Sequence, residues 1–95
     1  MTLVVLEAVA KPECVDQLEA VFKDAVPDTR AYDGCQQVTV SINENGRTFL
    51  IVSQWDSKQH YRNYHIWRTG TGVLERLANL LESGLSIRIF DVVDT

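Results

Sequence analysis

Residues 35–55 read CQQVTVSINENGRTFLIVSQW, and their alternation decides the fold. Val38, Val40 and Ile42 fall on one face of a strand, with Gln37, Thr39 and Ser41 on the other. Asn45-Gly46 is a strong two-residue hairpin signal, because a type I′ turn needs positive φ at both centres. Taken as such a loop, it sets Glu44 opposite Arg47, Ile42 opposite Phe49, Val40 opposite Ile51 and Val38 opposite Ser53. Phe49, Ile51, Ser53 and Trp55 then share the apolar face of the returning strand, a register that a one-residue bulge would break.

Working outward, Leu3 to Ala10 (LVVLEAVA) is a short, Val-rich apolar run and reads as a buried first strand. After Pro12, which suits a first helical turn, Val15, Leu18, Phe22, Ala25 and Val26 form one stripe of an amphipathic helix. Pro27 is expected to kink or end it, and Asp33-Gly34 to stop it before the hairpin. Beyond the hairpin, Asp56 or Ser57 is a suitable N-cap for a helix over residues 57–68. Thr69-Gly70-Thr71-Gly72 interrupts that helix, and Val73, Leu77, Leu80 and Leu81 make a further helical stripe. Gly84 is expected to close it as a C′ residue, before a last strand from Leu85 to Val93.

The order is β-α-β-β-α-β. Right-handed crossovers around a hairpin give an α+β, ferredoxin-like fold with one antiparallel sheet and both helices on one face. The other face is also apolar, because Leu50, Val52, Phe90 and Val92 point away from Ile51 and Ile89. A soluble chain does not leave such a patch in water, so a second copy is expected to cover it as a two-fold homodimer.

Composition narrows the partners. The 95 residues suffice for one domain, spanning 1–95, and 45% hydrophobic with 23% charged residues fits an ordered globular chain. A net charge of −4 argues against nucleic acid as the main partner. No apolar run approaches the ~20 residues needed to cross a bilayer. MTLVVLEAVAKPE lacks a basic region and a small-residue cleavage site, so it reads as a strand and not as a secretory signal. Cys14 and Cys35 have neither CxxC spacing nor a His at ligand interval, which fits two inert thiols in a reduced, cytoplasmic setting.

SQWDSKQHYRNYHIW, residues 53–67, concentrates two Trp, two Tyr and both His of the chain. At about 100° per residue, Tyr61, Tyr64, His65 and Arg68 lie on one helical face. Over Trp55 and Ser53 of the sheet, that face would wall a cleft. Aromatic stripes at this spacing usually pack as core. A His, an Arg and two phenols on one face are costly to bury without partners, however, and that points to a pocket. Other chemistries fit poorly. His60 and His65 point apart and form no HxxxH pattern, so no metal site is expected. The Thr69–Gly72 stretch lacks the Lys and the spacing of a phosphate loop, and there is no GxSxG elbow. Arg88, on the last strand, reads as an ion-pair former on the dimer face, the use Arg most often has at an interface, with a ligand contact as the alternative.

At this point the chain resembles the antibiotic biosynthesis monooxygenase domain of the dimeric α+β barrel superfamily. VVLEAVAKPECVDQLEAVF is similar to that family's first strand and helix. Asp33-Gly34-Cys35 is similar to the Pro-Gly-Cys that leads into its second strand. QWDSKQHYRNY resembles its Trp-x-Ser segment. The resemblance implies oxygenation of a small aromatic quinol, phenol or anthrone by O2, without metal, flavin or haem. It implies that Trp55 stacks on or hydrogen-bonds the substrate and that Tyr61 holds a substrate oxygen. His65 would transfer a proton, and Arg68 or Arg76 would steady an oxyanion, with Tyr64 and Ser53 completing the substrate site. Members of this kind carry an Asn four residues before the Trp; this chain has Ile51 there. Haem-degrading relatives need an Asn on strand 1 and a His where this chain reads GVLERLANLL.

Three readings therefore stand beside one another. The first is a cofactor-independent monooxygenase. The second is a non-catalytic barrel that binds a small hydrophobic molecule, which Ile51 favours. The third is a proton-transfer isomerase or cyclase, which would turn over without oxygen.

Overall fold

The computed structural model describes residues 1–95. Strand β1 (Thr2–Val9) leads through a short turn at Pro12–Cys14 into helix α1 (Val15–Ala31). The hairpin β2 (Cys35–Ile42) and β3 (Thr48–Trp55) follows. Helices α2 (Lys58–Gly70) and α3 (Val73–Leu80) then precede β4 (Ser86–Asp91). The sheet is antiparallel throughout, in the order β2-β3-β1-β4, which is the ferredoxin-like arrangement. No helix is long and apolar enough to cross a membrane.

The hairpin register is the one its alternation dictates: Ile42 faces Phe49, Val40 faces Ile51, and Val38 faces Ser53. The turn differs. No residue other than glycine has a positive φ, so Asn45 does not adopt the type I′ geometry. Instead Gly46 N–H donates to the Asn43 carbonyl at 2.9 Å, and only Gly46, at φ +74°, is left-handed. The Asn45 side chain accepts from the Arg47 and Thr48 amides, which fixes this wider connection without moving the register. A bulge does occur, but at the far end, between Cys35 and Gln37.

Helix α1 runs through Pro27 to Ala31 instead of ending there. Proline deprives the Lys23 carbonyl of its donor. Lys23 is exposed, so water can take that bond and the helix continues. Helix α3 stops four residues before Gly84, because Leu81 leaves it to bridge Ala10 of the first strand region. Lys11 N–H to the Leu80 carbonyl and Glu82 N–H to the Val9 carbonyl lock that exit at 2.9 and 2.8 Å. The interruption between α2 and α3 narrows to Thr71-Gly72, with Gly72 at φ +85°.

Two clusters fill the layer between helices and sheet. The larger joins Ala8, Leu18, Phe22, Phe49, Leu77 and Leu81, and the smaller joins Val4, Trp55 and Tyr61. On the opposite sheet face Val5 pairs with Val52 and Leu3 with Phe90, and no element covers them.

Gly34 is fixed by two constraints at once. Its φ is +89°, and a Cβ there would lie 2.4 Å from the His60 ring. Gly46 shares the positive φ but has open space around it. Gly34→Ala should therefore cost clearly more than Gly46→Ala in urea unfolding, at least about 2 kcal/mol against about 1. Equal costs would mean that the His60 contact carries no weight.

Candidate functional site

Members of both clusters wall a cavity of about 70 Å³ between the helices and the sheet. Helix α2 supplies its polar side. Ser57 caps that helix by accepting from the His60 amide, and the helical pitch then turns Tyr61, Tyr64, His65 and Arg68 inward together. The sheet contributes Val4, Ile51, Ser53 and Ile87, and α1 contributes Phe22 and Thr29. No Asp or Glu lines it.

Arg68 is the cation of this site and is 96% buried, at 4% exposure. Its Nη2 donates to the Ala25 carbonyl at 3.0 Å and to Thr29 Oγ1 at 2.9 Å, and its Nε donates to the Tyr64 hydroxyl at 3.0 Å. The Tyr64 and Thr29 hydroxyls lie 2.8 Å apart, and the guanidinium sits over the Trp67 and Tyr64 rings at 4.7 and 5.3 Å. The ion pairs of the chain, Lys23–Glu19, Arg47–Glu82, Lys58–Asp91 and His60–Asp33, leave Arg68 out. It is thus a buried charge held by neutral acceptors and ring faces, with no anion beside it. Such burial is tolerated only where hydrogen bonds replace water.

Tyr61 differs from Tyr64. Its hydroxyl makes no hydrogen bond to the protein, while burial, helped by the neighbouring Tyr64, pushes its pKa up to about 12. It therefore presents a proton to the cavity across the neutral range. His65 lies against the Tyr61 ring, centroids 6.0 Å apart, and its ring nitrogens also lack protein partners. Tyr61 O–H, His65 and Arg68 Nη1 are three polar groups with unused hydrogen-bonding capacity in an apolar chamber.

Two residues expected at the site lie outside it. Trp55 is fully buried behind the wall, packed against Tyr61 at 5.6 Å and Tyr64 at 4.9 Å. Its Nε1 donates to Ser53 Oγ at 2.9 Å, so the indole N–H is already engaged. Trp55 backs the residues that form the chamber and does not face it. Arg76 is exposed on the far side of α3, beside Gln17 and Asp24 of α1, because its neighbour Leu77 takes the inward position. His60 is separated from His65 as well: its Nδ1 lies 2.7 Å from Ser57 Oγ, and its ring packs on Gly34. Cys35 also plays no part, and burial raises the pKa of its thiol. Thr29 is the residue that sequence reasoning missed. It continues the α1 stripe seven residues beyond Phe22, but only because the helix survives Pro27.

The antibiotic biosynthesis monooxygenase family matches residues 1–66. No curated protein matches the chain. Among solved structures, the Rv0793 protein of Mycobacterium tuberculosis is 16% identical, with a TM-score of 0.90 over 99% of this chain and 96% of that one. A putative antibiotic biosynthesis monooxygenase from Deinococcus radiodurans is 22% identical, with a TM-score of 0.89 over 100% of this chain and 95% of that one. A monooxygenase from the gene ActVA-Orf6 of Streptomyces coelicolor, solved with the ligand nanaomycin D, is 19% identical, with a TM-score of 0.83 over 99% and 88%. At these identities the structural likenesses establish the fold.

The raised Tyr61 pKa has a pH consequence. In the unfolded chain the phenol ionises near its ordinary value of 10, whereas in the folded chain it keeps its proton to about 12. The native state thus holds more protons in that window, so its stability falls as pH rises from 10 to 12. Tyr61→Phe should flatten this decline when urea midpoints are measured across the window. An unchanged slope would show that Tyr61 titrates normally.

Proposed function

The chain belongs to the antibiotic biosynthesis monooxygenase family, and on that premise we propose that it is a cofactor-independent monooxygenase acting with O2 on a small aromatic quinol, phenol or anthrone. The observation that carries this reading is the gathering of Tyr61, His65 and Arg68, each with a polar atom unpaired within the protein, around one largely apolar chamber free of carboxylates. The likeness in fold to the monooxygenase solved with nanaomycin D supports a small ligand.

The chemistry needs little from the protein beyond placement and charge. His65 takes the acidic proton of the bound hydroxyarene or anthrone, as an imidazole can near neutral pH. The resulting anion gives one electron to O2, and the radical and superoxide combine at the activated ring carbon. The peroxide formed takes a proton and loses water to leave the carbonyl of the quinone. One oxygen atom stays in the product and the other leaves as water, with every electron supplied by the substrate. Tyr61, still protonated, donates a hydrogen bond to a substrate oxygen. Arg68 supplies positive potential, which acts more strongly among largely apolar walls than in open water.

Ile51 favours a second reading, a barrel that binds a hydrophobic molecule without turning it over. It lines the chamber where a polar contact to substrate would otherwise fall. Oxygen uptake by chelator-treated protein against hydroquinones, naphthoquinols and anthrones separates the two. Uptake proportional to protein is expected, with His65→Ala lowering kcat by roughly 10²-fold or more at little change in KM. Absence of uptake across the panel would favour the binding protein. Turnover that continues without oxygen would favour an isomerase.

The uncovered sheet face, with Val5, Val52, Leu3 and Phe90, supports a two-fold homodimer of face-to-face sheets. Sedimentation at micromolar concentration should give twice the 10.8 kDa of one chain. A mass of one chain would remove the dimer.

A further inference from the structure

The chamber is small for the ligand it is proposed to take. Pockets that hold drug-sized molecules span roughly 300–1,000 Å³, against about 70 Å³ here. A second, open groove of about 330 Å³ lies between α2 and β4, lined by Tyr61, Arg62, His65, Ile66, Ile87 and Ile89. Tyr61, His65 and Ile87 border both spaces and form the partition between them. Arg68 belongs to the inner space alone. The outer one is floored by Ile87 and Ile89, with Ile66 70% exposed at its edge.

Charge is distributed across the two spaces in one sense. The inner chamber offers a guanidinium with no anion in reach, and its Nη1 makes no hydrogen bond to the protein. Tyr61, whose hydroxyl makes no hydrogen bond to the protein, lines the same chamber, and no carboxylate does. The rim of the outer groove adds Arg62, which is exposed and also outside every ion pair. A neutral ligand would leave the buried cation uncompensated. An anionic one would complete it with a charge-assisted hydrogen bond, worth roughly twice a neutral one.

We infer that the site selects amphipathic organic anions. An acidic head, an aromatic carboxylate or an acidic phenol, docks on Arg68 Nη1 in the inner chamber. The apolar body extends past the Tyr61–His65–Ile87 partition into the groove between α2 and β4. This rests on the reading of the chamber as the ligand site and narrows its substrate class to aromatic molecules that carry, besides the hydroxyl or methylene that His65 deprotonates, a group already ionised at neutral pH. Ile66 and Ile89, outside the chamber, become specificity residues for the body of the ligand.

The test uses two probes of the same shape, 2-naphthoate and 2-naphthamide, titrated against the full-length protein at neutral pH by tryptophan quenching and calorimetry. The carboxylate should bind at least about tenfold more tightly, as one charged hydrogen bond implies. Arg68→Gln should abolish that preference. Ile89→Asp, a change at an exposed position, should weaken the carboxylate several-fold. Equal affinity of the two probes for the unmodified protein overturns the inference while leaving the chamber as a neutral-ligand site. Failure of both probes to bind overturns the ligand-site reading together with it. A preference that survives in Arg68→Gln removes Arg68 as the anion's partner. An Ile89→Asp protein that binds normally removes the outer groove. Should Arg68→Gln not fold, the comparison of probes on the unmodified protein still decides whether an anion is preferred.

Discussion

The pairing of β2 with β3 is the constraint on which the rest of the molecule depends. Side chains alternate along a strand, so the register that sets Val38 against Ser53 and Ile42 against Phe49 also decides what faces the helices. It sends Phe49, Ile51, Ser53 and Trp55 inward as one row. A slip of one residue would put Leu50, Val52 and Gln54 there instead, and would carry Trp55 to the uncovered face. Everything that α2 rests on, from the Ser53–Trp55 hydrogen bond to the Tyr61 and Tyr64 rings, follows from that choice. The register tolerates imperfect ends. The turn is wider than a type I′ loop and a bulge interrupts β2 near Cys35, yet the apolar pairs between them hold.

A second constraint is electrostatic. Burying a guanidinium costs several kcal/mol unless neighbours replace its water. Arg68 is stabilised by groups from two helices: the Ala25 carbonyl and Thr29 of α1, and the Tyr64 hydroxyl of α2. The same bonds therefore tie α1 to α2 and hold open the space between them. Had the partner been a carboxylate, the charge would be neutralised within the protein and unavailable to a ligand. Neutral acceptors satisfy the hydrogens on one side of the guanidinium while leaving its charge in place.

The sequence carried the parts of this design that depend on periodicity and little that depends on tertiary contact. Alternation over residues 38–53 fixed the hairpin partners, and 3.6-residue spacing placed Tyr61, Tyr64, His65 and Arg68 on one face. Helix ends were less legible. Pro27 lies where the carbonyl it orphans can be solvated, and Gly84 was pre-empted when Leu81 paired with Ala10. Both outcomes depend on neighbours that local propensity does not see. The same limit applied to the site. Thr29 was hidden because Pro27 was expected to kink or end the helix just before it. Trp55 was correctly placed on the inward face, but its depth there depends on three rings that cover it, Tyr32, Tyr61 and Tyr64. Arg76 sits next to Leu77, and which of two adjacent residues turns inward is settled by packing.

What distinguishes the chamber from ordinary core is the balance of its polar groups. Core polar atoms pair with one another, as Thr29, Tyr64 and half of Arg68 do here. Tyr61 O–H, the His65 ring and Arg68 Nη1 do not, although all three residues line a largely apolar space. No fully buried side-chain nitrogen or oxygen of the chain lacks a partner, so these three groups keep some contact with solvent through the chamber mouth. Ile51 sharpens the point. It leaves Ser53 as the one polar side chain on the sheet side of the chamber, while α2 brings Tyr61, Tyr64, His65 and Arg68. The titratable and cationic side chains of the chamber are thereby concentrated on a single helix, with Trp55 beneath two of its rings as the rigid backing.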